Sequence, residues 1–169
     1  LDEQRAGHAT VVGAGFVGLE MAENFHRRGL QVALIEREPH VLPPMDLEMT
    51  GPLARAIEGA GVALEVGASL SSIRQLPNDA PTRFELALDN GKLIGTDVVL
   101  MSVGVRPEVT LAEAAGLEVG ETGGIRVDAR MRTSQPNIWA VGDAVESVDA
   151  VTGQPVLAAL AGPAQRQGR

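Results

Sequence analysis

The segment that decides the fold reads HATVVGAGFVGLEMAENFHRRGLQVALIE and spans residues 8–36. Residues 9–12 are a short β-branched and apolar run, which is typical of a buried strand. A glycine-rich turn follows at once, residues 19–28 carry apolar side chains at near-helical spacing, and Gly29 is placed to end that helix. Residues 32–35 form a second apolar run, which ends at Glu36. A strand, a turn, a helix and a strand within about 30 residues predict a right-handed βαβ unit with parallel strands.

Three glycines in this turn have the spacing of a loop that binds a nucleotide diphosphate. Gly13 permits a tight turn, Gly15 lets the backbone approach the diphosphate without an intervening Cβ, and Gly18 lets the helix pack closely on the strands. Phe16 and Val17 complete the loop. The free N–H groups and the positive end of the helix dipole would then hold the diphosphate. A glycine-rich turn in an unrelated α/β protein is the alternative reading of this spacing.

An acidic residue at the end of the second strand indicates which dinucleotide is bound. Glu36 follows Gly15 by about 20 residues, the distance at which a carboxylate accepts the ribose hydroxyls of an adenosine. The same carboxylate repels the 2′-phosphate of NADP, so we predict NAD(H) over NADP(H). Arg37 is adjacent, and it either offsets part of that repulsion or is an ordinary solvated charge.

The next part of the chain predicts two further layers of structure. Asp46 is a plausible N-cap for a helix that runs to about residue 60 with Pro52 inside it, and residues 62–65 predict a third parallel strand. Residues 69–73, 83–88 and 92–94 then predict a small antiparallel meander with a hairpin turn at 89–91. Residues 97–103 are strongly apolar and predict a strand that returns to the parallel sheet and ends at Gly104.

The final third of the chain predicts shorter helices and strands than the first two thirds. It predicts a short helix at 111–115, strands at 125–127 and 138–141, and the start of a helix within 155–167. We therefore predict an α/β fold with a Rossmann-like three-layer nucleotide-binding domain, in which a parallel sheet is combined with an antiparallel meander. The domain boundary is predicted at 108, with residues 109–169 forming a separate, incomplete segment.

Composition excludes several classes of protein. The 169 residues are 44% hydrophobic and 21% charged, which is typical of a globular chain, and they are long enough to bury a core. The net charge of −8 disfavours nucleic acid and anionic membrane surfaces as partners. With no cysteine, the chain has no disulfide, thiolate metal site or cysteine nucleophile, and its histidines at 8, 26 and 40 lack metal-ligand spacing.

The two ends of the chain lead to further expectations. The charged residues 1–5 do not resemble a secretory signal, and no apolar run approaches the length that spans a bilayer, so we expect a cytoplasmic protein. The chain begins at Leu1 rather than methionine and stops at Arg169 without an evident cap. We expect it to be an excised piece of a longer protein.

Three motifs together resemble those of the pyridine nucleotide-disulfide oxidoreductases, the flavoproteins with two dinucleotide-binding domains. The chain carries GAGFVGLE at 13–20, DVVLMSVGVRP at 97–107 and TSQPNIWAVGDA at 133–144. They are similar to the family's nicotinamide-cofactor loop, its link from the NAD domain back to the flavin domain, and its second flavin motif. The closing LAGPAQRQGR at 160–169 looks most like the branch of coenzyme A-disulfide reductases and NADH oxidases.

The resemblance implies roles for residues of the first domain, 1–108, as an NAD-binding domain. The three loop glycines would hold the NAD diphosphate and Glu36 the adenosine ribose. Glu20 would lie near the nicotinamide, or else be a charge on the helix surface. Gly104 would let the nicotinamide approach the backbone, or else simply end a strand. Relatives that prefer NADPH tend to have basic side chains where this chain has Arg37 and Pro43, and no acid at position 36.

The resemblance also implies that residues 109–169 are the C-terminal part of an FAD-binding domain. After Gly142, Asp143 would hydrogen-bond the ribityl chain of FAD, or else cap the next segment. Leu160 and Ala161 would lie at the pyrimidine edge of the flavin through their backbone groups, or else only pack a helix.

In the parent protein, the implied reaction is hydride transfer from NADH to flavin, with electrons passed on to a disulfide, persulfide or oxygen. The upstream flavin segment, its redox-active cysteine and the dimerisation domain of the family are missing from this chain, and the parent is expected to be a homodimer. We expect no catalytic residue here, weak NAD binding, no retained FAD and no turnover by the chain alone. A non-catalytic NAD-sensing or interaction module is the alternative, although it has no use for a flavin motif at 142–143.

Overall fold

The structure, a computed structural model, describes residues 6–169. Residues 1–5 lie outside that range, and so does the expectation that they form no secretory signal. The chain divides into two compact units between Gly104 and Val105, four residues before the boundary predicted at 108. None of the helices among residues 6–169 combines the length and the apolar character that a membrane span requires.

The first unit alternates strands and helices before it turns to strands alone. Its elements are β1 (His8–Val12), α1 (Phe16–Arg27), β2 (Gln31–Glu36), α2 (Leu47–Gly59), β3 (Ala63–Val66), β4 (Leu70–Gln75), β5 (Phe84–Leu88), β6 (Leu93–Thr96) and β7 (Val98–Met101). Helix α1 begins three residues earlier than its apolar spacing predicted. Phe16 and Val17 are 66% and 62% exposed, so they contribute nothing to the buried stripe by which a helix is recognised.

The parallel sheet has the strand order β3-β2-β1-β7, which confirms the predicted α/β fold with its returning apolar strand. In the register of this sheet, Val12 lies opposite Ile35 on one side and Met101 on the other. The carboxyl ends of β1, β2 and β7 therefore meet at one edge. In open α/β sheets this is the edge at which ligands bind.

Two apolar clusters cover the two faces of this sheet. Val11 and Leu34 pack on one face with residues of α1 and α2, whereas Val12 and Ile35 pack on the other with Leu86 of the meander. The strand order β4-β5-β6 in that meander is antiparallel throughout. The unit thus has three layers, and burying each large apolar side chain stabilises it by roughly 1.5–3 kcal/mol.

One threonine in this core is expected to reduce stability. Thr10 is 1% exposed, and its hydroxyl has no hydrogen-bond partner among residues 6–169. Thr10→Val should therefore raise the free energy of unfolding by about 1 kcal/mol, because a methyl group replaces the unpaired hydroxyl and the side chain keeps its shape. Urea denaturation measures this change.

Thr96 provides a control of the opposite sign. It is fully buried, but its hydroxyl lies 3.2 Å from the His8 carbonyl oxygen and 3.0 Å from that of Val98. Thr96→Val should lower the free energy of unfolding by about 1 kcal/mol. Equal effects of the two substitutions would contradict the assignment of Thr10 as unpaired.

The second unit is smaller and has shorter elements. They are α3 (Thr110–Ala114), β8 (Ile125–Arg126), β9 (Val145–Val148), β10 (Pro155–Leu157) and α4 (Ala161–Gln167). Strand β9 pairs with β8 in parallel and with β10 in antiparallel orientation.

Two predictions for this unit are wrong. Residues 138–141 do not form a buried strand: Ile138, Trp139 and Val141 are 38%, 58% and 48% exposed. Among residues 6–169, the β-pairing of this segment is limited to an isolated bridge between Arg132 and Trp139. An apolar run becomes a strand only where a neighbour supplies the ladder of hydrogen bonds.

The second error concerns the C-terminal helix. Residues 155–157 were predicted to begin it, but they form β10, and the helix begins at Ala161. The register of β10 places Val156 opposite Ser147. Pairing with strand β9 thus makes this segment part of a sheet. The local sequence does not indicate that pairing.

Candidate functional site

The glycine-rich turn lies at the carboxyl end of β1, held between the two neighbouring strands. Gly13 donates its N–H to the carbonyl oxygen of Ile35 at 2.7 Å. Its φ is +100°, and a Cβ at this position would lie 2.2 Å from the carbonyl oxygen of Ser102. Glycine is therefore required at position 13 by the fold itself.

Gly18 is also required for packing, whereas Gly15 is not. A Cβ on Gly18 would lie 1.8 Å from the carbonyl oxygen of Gly13, so the first turn of α1 touches the loop. A Cβ on Gly15 would meet nothing within 4 Å, and the φ of Gly15 is an ordinary −74°. The missing side chain at Gly15 thus leaves open space beside the backbone that no part of the described chain fills.

The start of α1 presents backbone donors at this open space. Gly15 is the N-cap residue, no side chain caps the helix, and its first turn contains no acidic residue. Helix geometry leaves the first N–H groups, including those of Phe16 and Val17, without intrahelical partners. These donors and the positive end of the helix dipole attract an anion.

Glu36 lies directly against the loop. It is only 8% exposed, and Oε2 of its carboxylate accepts the N–H of Ala14 at 2.7 Å. Oε1 accepts the N–H of Glu38 at 2.9 Å. A carboxylate offers about four lone-pair positions, so these two bonds fix its orientation and leave acceptor capacity for ligand hydroxyls.

Arg37 is turned toward its neighbour in sequence. Its side chain is 78% exposed, and its Nη2 and Nε lie 3.0 Å and 3.3 Å from Oε1 of Glu38. The sequence left two roles open for Arg37, an offset to the repulsion by Glu36 or a solvated charge, and it did not indicate the ion pair with Glu38. Glu38 was missed because no motif marks it.

The sequence also did not indicate a contact between the 39–44 segment and the glycine-rich turn. Leu42 has a φ of +49° and donates its N–H to the carbonyl oxygen of Ala14 at 2.9 Å. With the bond from Ala14 to Glu36, this contact holds Ala14 through both of its backbone polar groups. No local signal predicts this contact, since it joins residues that are distant in sequence.

The other two residues proposed for the first unit are exposed. Glu20 lies on α1, and its backbone carbonyl accepts a bond from the side chain of Asn24 at 2.8 Å. Gly104 follows β7 with a φ of +97°, and a Cβ there would meet nothing within 4 Å. Within the described part of the chain, no hydrogen bond joins either residue to Glu36.

In the second unit, the predicted flavin residues lie beside a cavity and a short helix. Gly142 has a φ of +96° and donates its N–H to Oε1 of Gln167 at 2.8 Å, a partner that the sequence did not suggest. Asp143 is exposed and lines a cavity of about 450 Å³ together with residues 105–108, Ala144, Leu157 and Ala159. Leu160 is the N-cap residue of α4, and Ala161 is its first residue.

Comparison with known proteins identifies the family. A model of the pyridine nucleotide-disulphide oxidoreductases matches residues 1–168, so the chain belongs to that family. An NADH oxidase of Methanocaldococcus jannaschii is 38% identical over 170 aligned residues, which cover 100% of this chain and 37% of the relative. The resemblance predicted from the motifs is thereby confirmed.

Solved structures of related enzymes have the same fold. An NAD-dependent persulfide reductase from A. fulgidus has a TM-score of 0.92 at 38% identity, over 99% of this chain and 30% of that one. A water-forming NADH oxidase from Lactobacillus brevis, solved with bound NADH, has a TM-score of 0.90 at 30% identity, over 99% and 36%. The chain thus spans about a third of the length of the relatives that it matches.

Proposed function

We propose that this chain is the NAD(H)-binding portion of an FAD-dependent oxidoreductase that passes hydride from NADH to flavin and on to a disulfide, persulfide or oxygen acceptor. The main support for this proposal is the open space beside Gly15, where a Cβ would meet no atom within 4 Å. Gly13 and Gly18 are required by the packing of the chain, whereas packing does not require a glycine at position 15. A diphosphate that lies against the backbone would require one there.

The residues around the turn fit a dinucleotide. The first N–H groups of α1 would hold the diphosphate, and the carboxylate of Glu36 would accept the ribose hydroxyls. Because Glu36 is already oriented by Ala14 and Glu38, binding requires no reorganisation of this side chain. Bound NADH supplies a hydride, and the chain positions it. Glu20 and Gly104 are proposed for the nicotinamide end.

The charges at the end of β2 support NADH as the preferred cofactor. Glu36 and Glu38 are acidic, and Arg37 forms its ion pair with Glu38 rather than standing alone. A 2′-phosphate near this corner would therefore meet net negative charge. We propose that NADH binds at least tenfold more tightly than NADPH, a difference that corresponds to about 1.4 kcal/mol.

Substitution of Glu36 tests the site and the preference together. Glu36→Gln should weaken NADH binding about tenfold and bring the dissociation constants for NADH and NADPH within about threefold of each other. Isothermal titration of the 169-residue chain measures both constants. The ratio is informative even if the variant is less stable, because it compares two ligands on one protein.

Glu58→Gln is the matched control. Glu58 is exposed and lies in the last turn of α2, which ends at the opposite edge of the sheet from the glycine-rich turn. This variant should bind both dinucleotides as the wild-type chain does. Equal affinity of the wild-type chain for NADH and NADPH would refute the preference, and no binding of NADH or ADP-ribose would refute the site.

We propose residues 105–169 as part of the flavin side of the enzyme. Asp143 makes no hydrogen bond among residues 6–169 and faces the cavity in its unit, as a residue that binds the ribityl chain of FAD would. Leu160 and Ala161 are proposed for the pyrimidine edge. A homodimeric parent and a cytoplasmic location belong to the same proposal. Titration with FAD should show no retention, and the chain alone should show no NADH-dependent turnover.

A further inference from the structure

We propose that Glu38 is a specificity-determining residue, which favours NADH by engaging the guanidinium of Arg37. This inference rests on the proposed function, since it concerns the same ribose corner. Two nitrogens of Arg37 lie 3.0 Å and 3.3 Å from the same carboxylate oxygen of Glu38. Arg37 would otherwise be the cation next to the ribose-binding carboxylate, and arginine is the side chain best suited to a phosphate group.

The position of Glu38 is set by its backbone rather than by the ion pair. Its N–H donates to Oε1 of Glu36 at 2.9 Å, and its carbonyl oxygen accepts the N–H of Gly67 at 3.0 Å. Glu38 is therefore held between the carboxylate proposed to bind ribose and the turn after β3. Its side chain is 43% exposed, whereas that of Arg37 is 78% exposed, so the arginine is the more solvent-accessible partner of the pair.

The charge balance at this corner depends on Glu38. Residues 36–38 carry two negative charges and one positive charge, and neutralising Glu38 leaves one of each. With Glu38 replaced by glutamine, the Arg37 guanidinium is free to pair with a 2′-phosphate. Exposed ion pairs are weak restraints, so the expected effect is modest, about a fivefold gain in affinity.

The experiment compares ADP-ribose with 2′-phospho-ADP-ribose, and NADH with NADPH, on the 169-residue chain by isothermal titration. Glu38→Gln should tighten binding of both 2′-phosphorylated ligands about fivefold and change binding of the other two by less than twofold. The gain should shrink at high salt, because it is electrostatic. With Arg37→Gln alone as the reference, the addition of Glu38→Gln should give no such gain.

A second ion pair in the same unit provides the matched control. Arg74 Nη2 lies 2.6 Å from Oε1 of Glu85, which joins neighbouring strands of the antiparallel meander. Glu85→Gln removes one carboxylate and breaks one exposed ion pair, as Glu38→Gln does, but away from the ribose corner. It should leave all four affinities unchanged.

Three results would overturn the inference, and they are distinguishable from failure of the proposed function. An unchanged ratio of affinities in Glu38→Gln shows that the ion pair does not restrain Arg37. A gain of the double variant over Arg37→Gln alone shows that Glu38 acts by direct repulsion and not through Arg37. The same gain in Glu85→Gln shows a non-specific effect of charge. Failure of the wild-type chain to bind NADH or ADP-ribose overturns the proposed function, and this inference with it.

Discussion

Gly15→Ala should weaken NADH binding by about 10- to 100-fold while changing the free energy of unfolding by less than about 1 kcal/mol. The chain itself has room for the methyl group, since a Cβ at this position meets nothing within 4 Å and the φ of −74° suits alanine. A diphosphate bound against this backbone would occupy the space that the methyl group of alanine takes up. Forcing an extra methyl group into a close contact costs about 1–3 kcal/mol.

The separation of binding from stability is what makes this substitution informative. NADH fluorescence titration gives the affinity, and urea denaturation gives the free energy of unfolding. Gly59→Ala is the matched control, because Gly59 also has open space around its Cβ position and lies at the end of α2, away from the loop. That control should keep wild-type affinity. If Gly15→Ala bound NADH with wild-type affinity, the diphosphate would not lie against the backbone of residue 15, and our placement of it would be wrong.

Asp97→Asn should lower the free energy of unfolding at pH 7 by about 2–4 kcal/mol. The carboxylate is 7% exposed and accepts three backbone N–H groups: Oδ2 takes those of Gly7 and His8 at 2.9 Å and 3.0 Å, and Oδ1 takes that of Arg83 at 3.2 Å. It thus joins the start of β1 to the meander. An amide presents an N–H₂ group to at least one of these donors and leaves it unpaired.

The loss should depend on pH. Burial raises the pKa of Asp97, but the three backbone hydrogen bonds and the contact with His8 outweigh it, so the pKa lies below its ordinary value. A carboxylate with a lowered pKa stabilises the folded state above the pKa of the unfolded chain, near 4. That contribution disappears as the pH falls through the pKa of the folded state.

Urea denaturation between pH 7 and about pH 3 measures this dependence. The wild-type and Asp97→Asn stability curves should converge on the acid side of the window. Asp79→Asn is the control, since Asp79 is exposed in the loop of the meander and should leave the curve unchanged. A gap between wild type and Asp97→Asn that is constant over the whole range would show that the charge of Asp97 has no part in its stabilising effect.

Where local spacing carries the information, prediction from the sequence succeeded. The β1–α1–β2 unit, the third parallel strand, the meander and the return of β7 to the sheet all follow from apolar periodicity and turn residues, and the structure has them. Prediction failed at 138–141, which was predicted as a buried strand and is an exposed segment, and at 155–157, which was predicted as the start of a helix and is a strand. Those outcomes depend on which neighbour is available, and a window of ten residues does not contain that information.

The order of residues along the chain by itself determined the three-layer α/β fold, the glycine-rich turn at the end of β1 and the carboxylate at the end of β2. Each of these follows from a short-range rule of backbone geometry or apolar spacing. Only the tertiary structure decided that Gly13 and Gly18 serve packing while Gly15 opens space, that Glu36 is clamped by Ala14, and that Glu38 engages Arg37. These are contacts between backbone and side-chain atoms in space, and their existence depends on how the strands come together at one edge of the sheet.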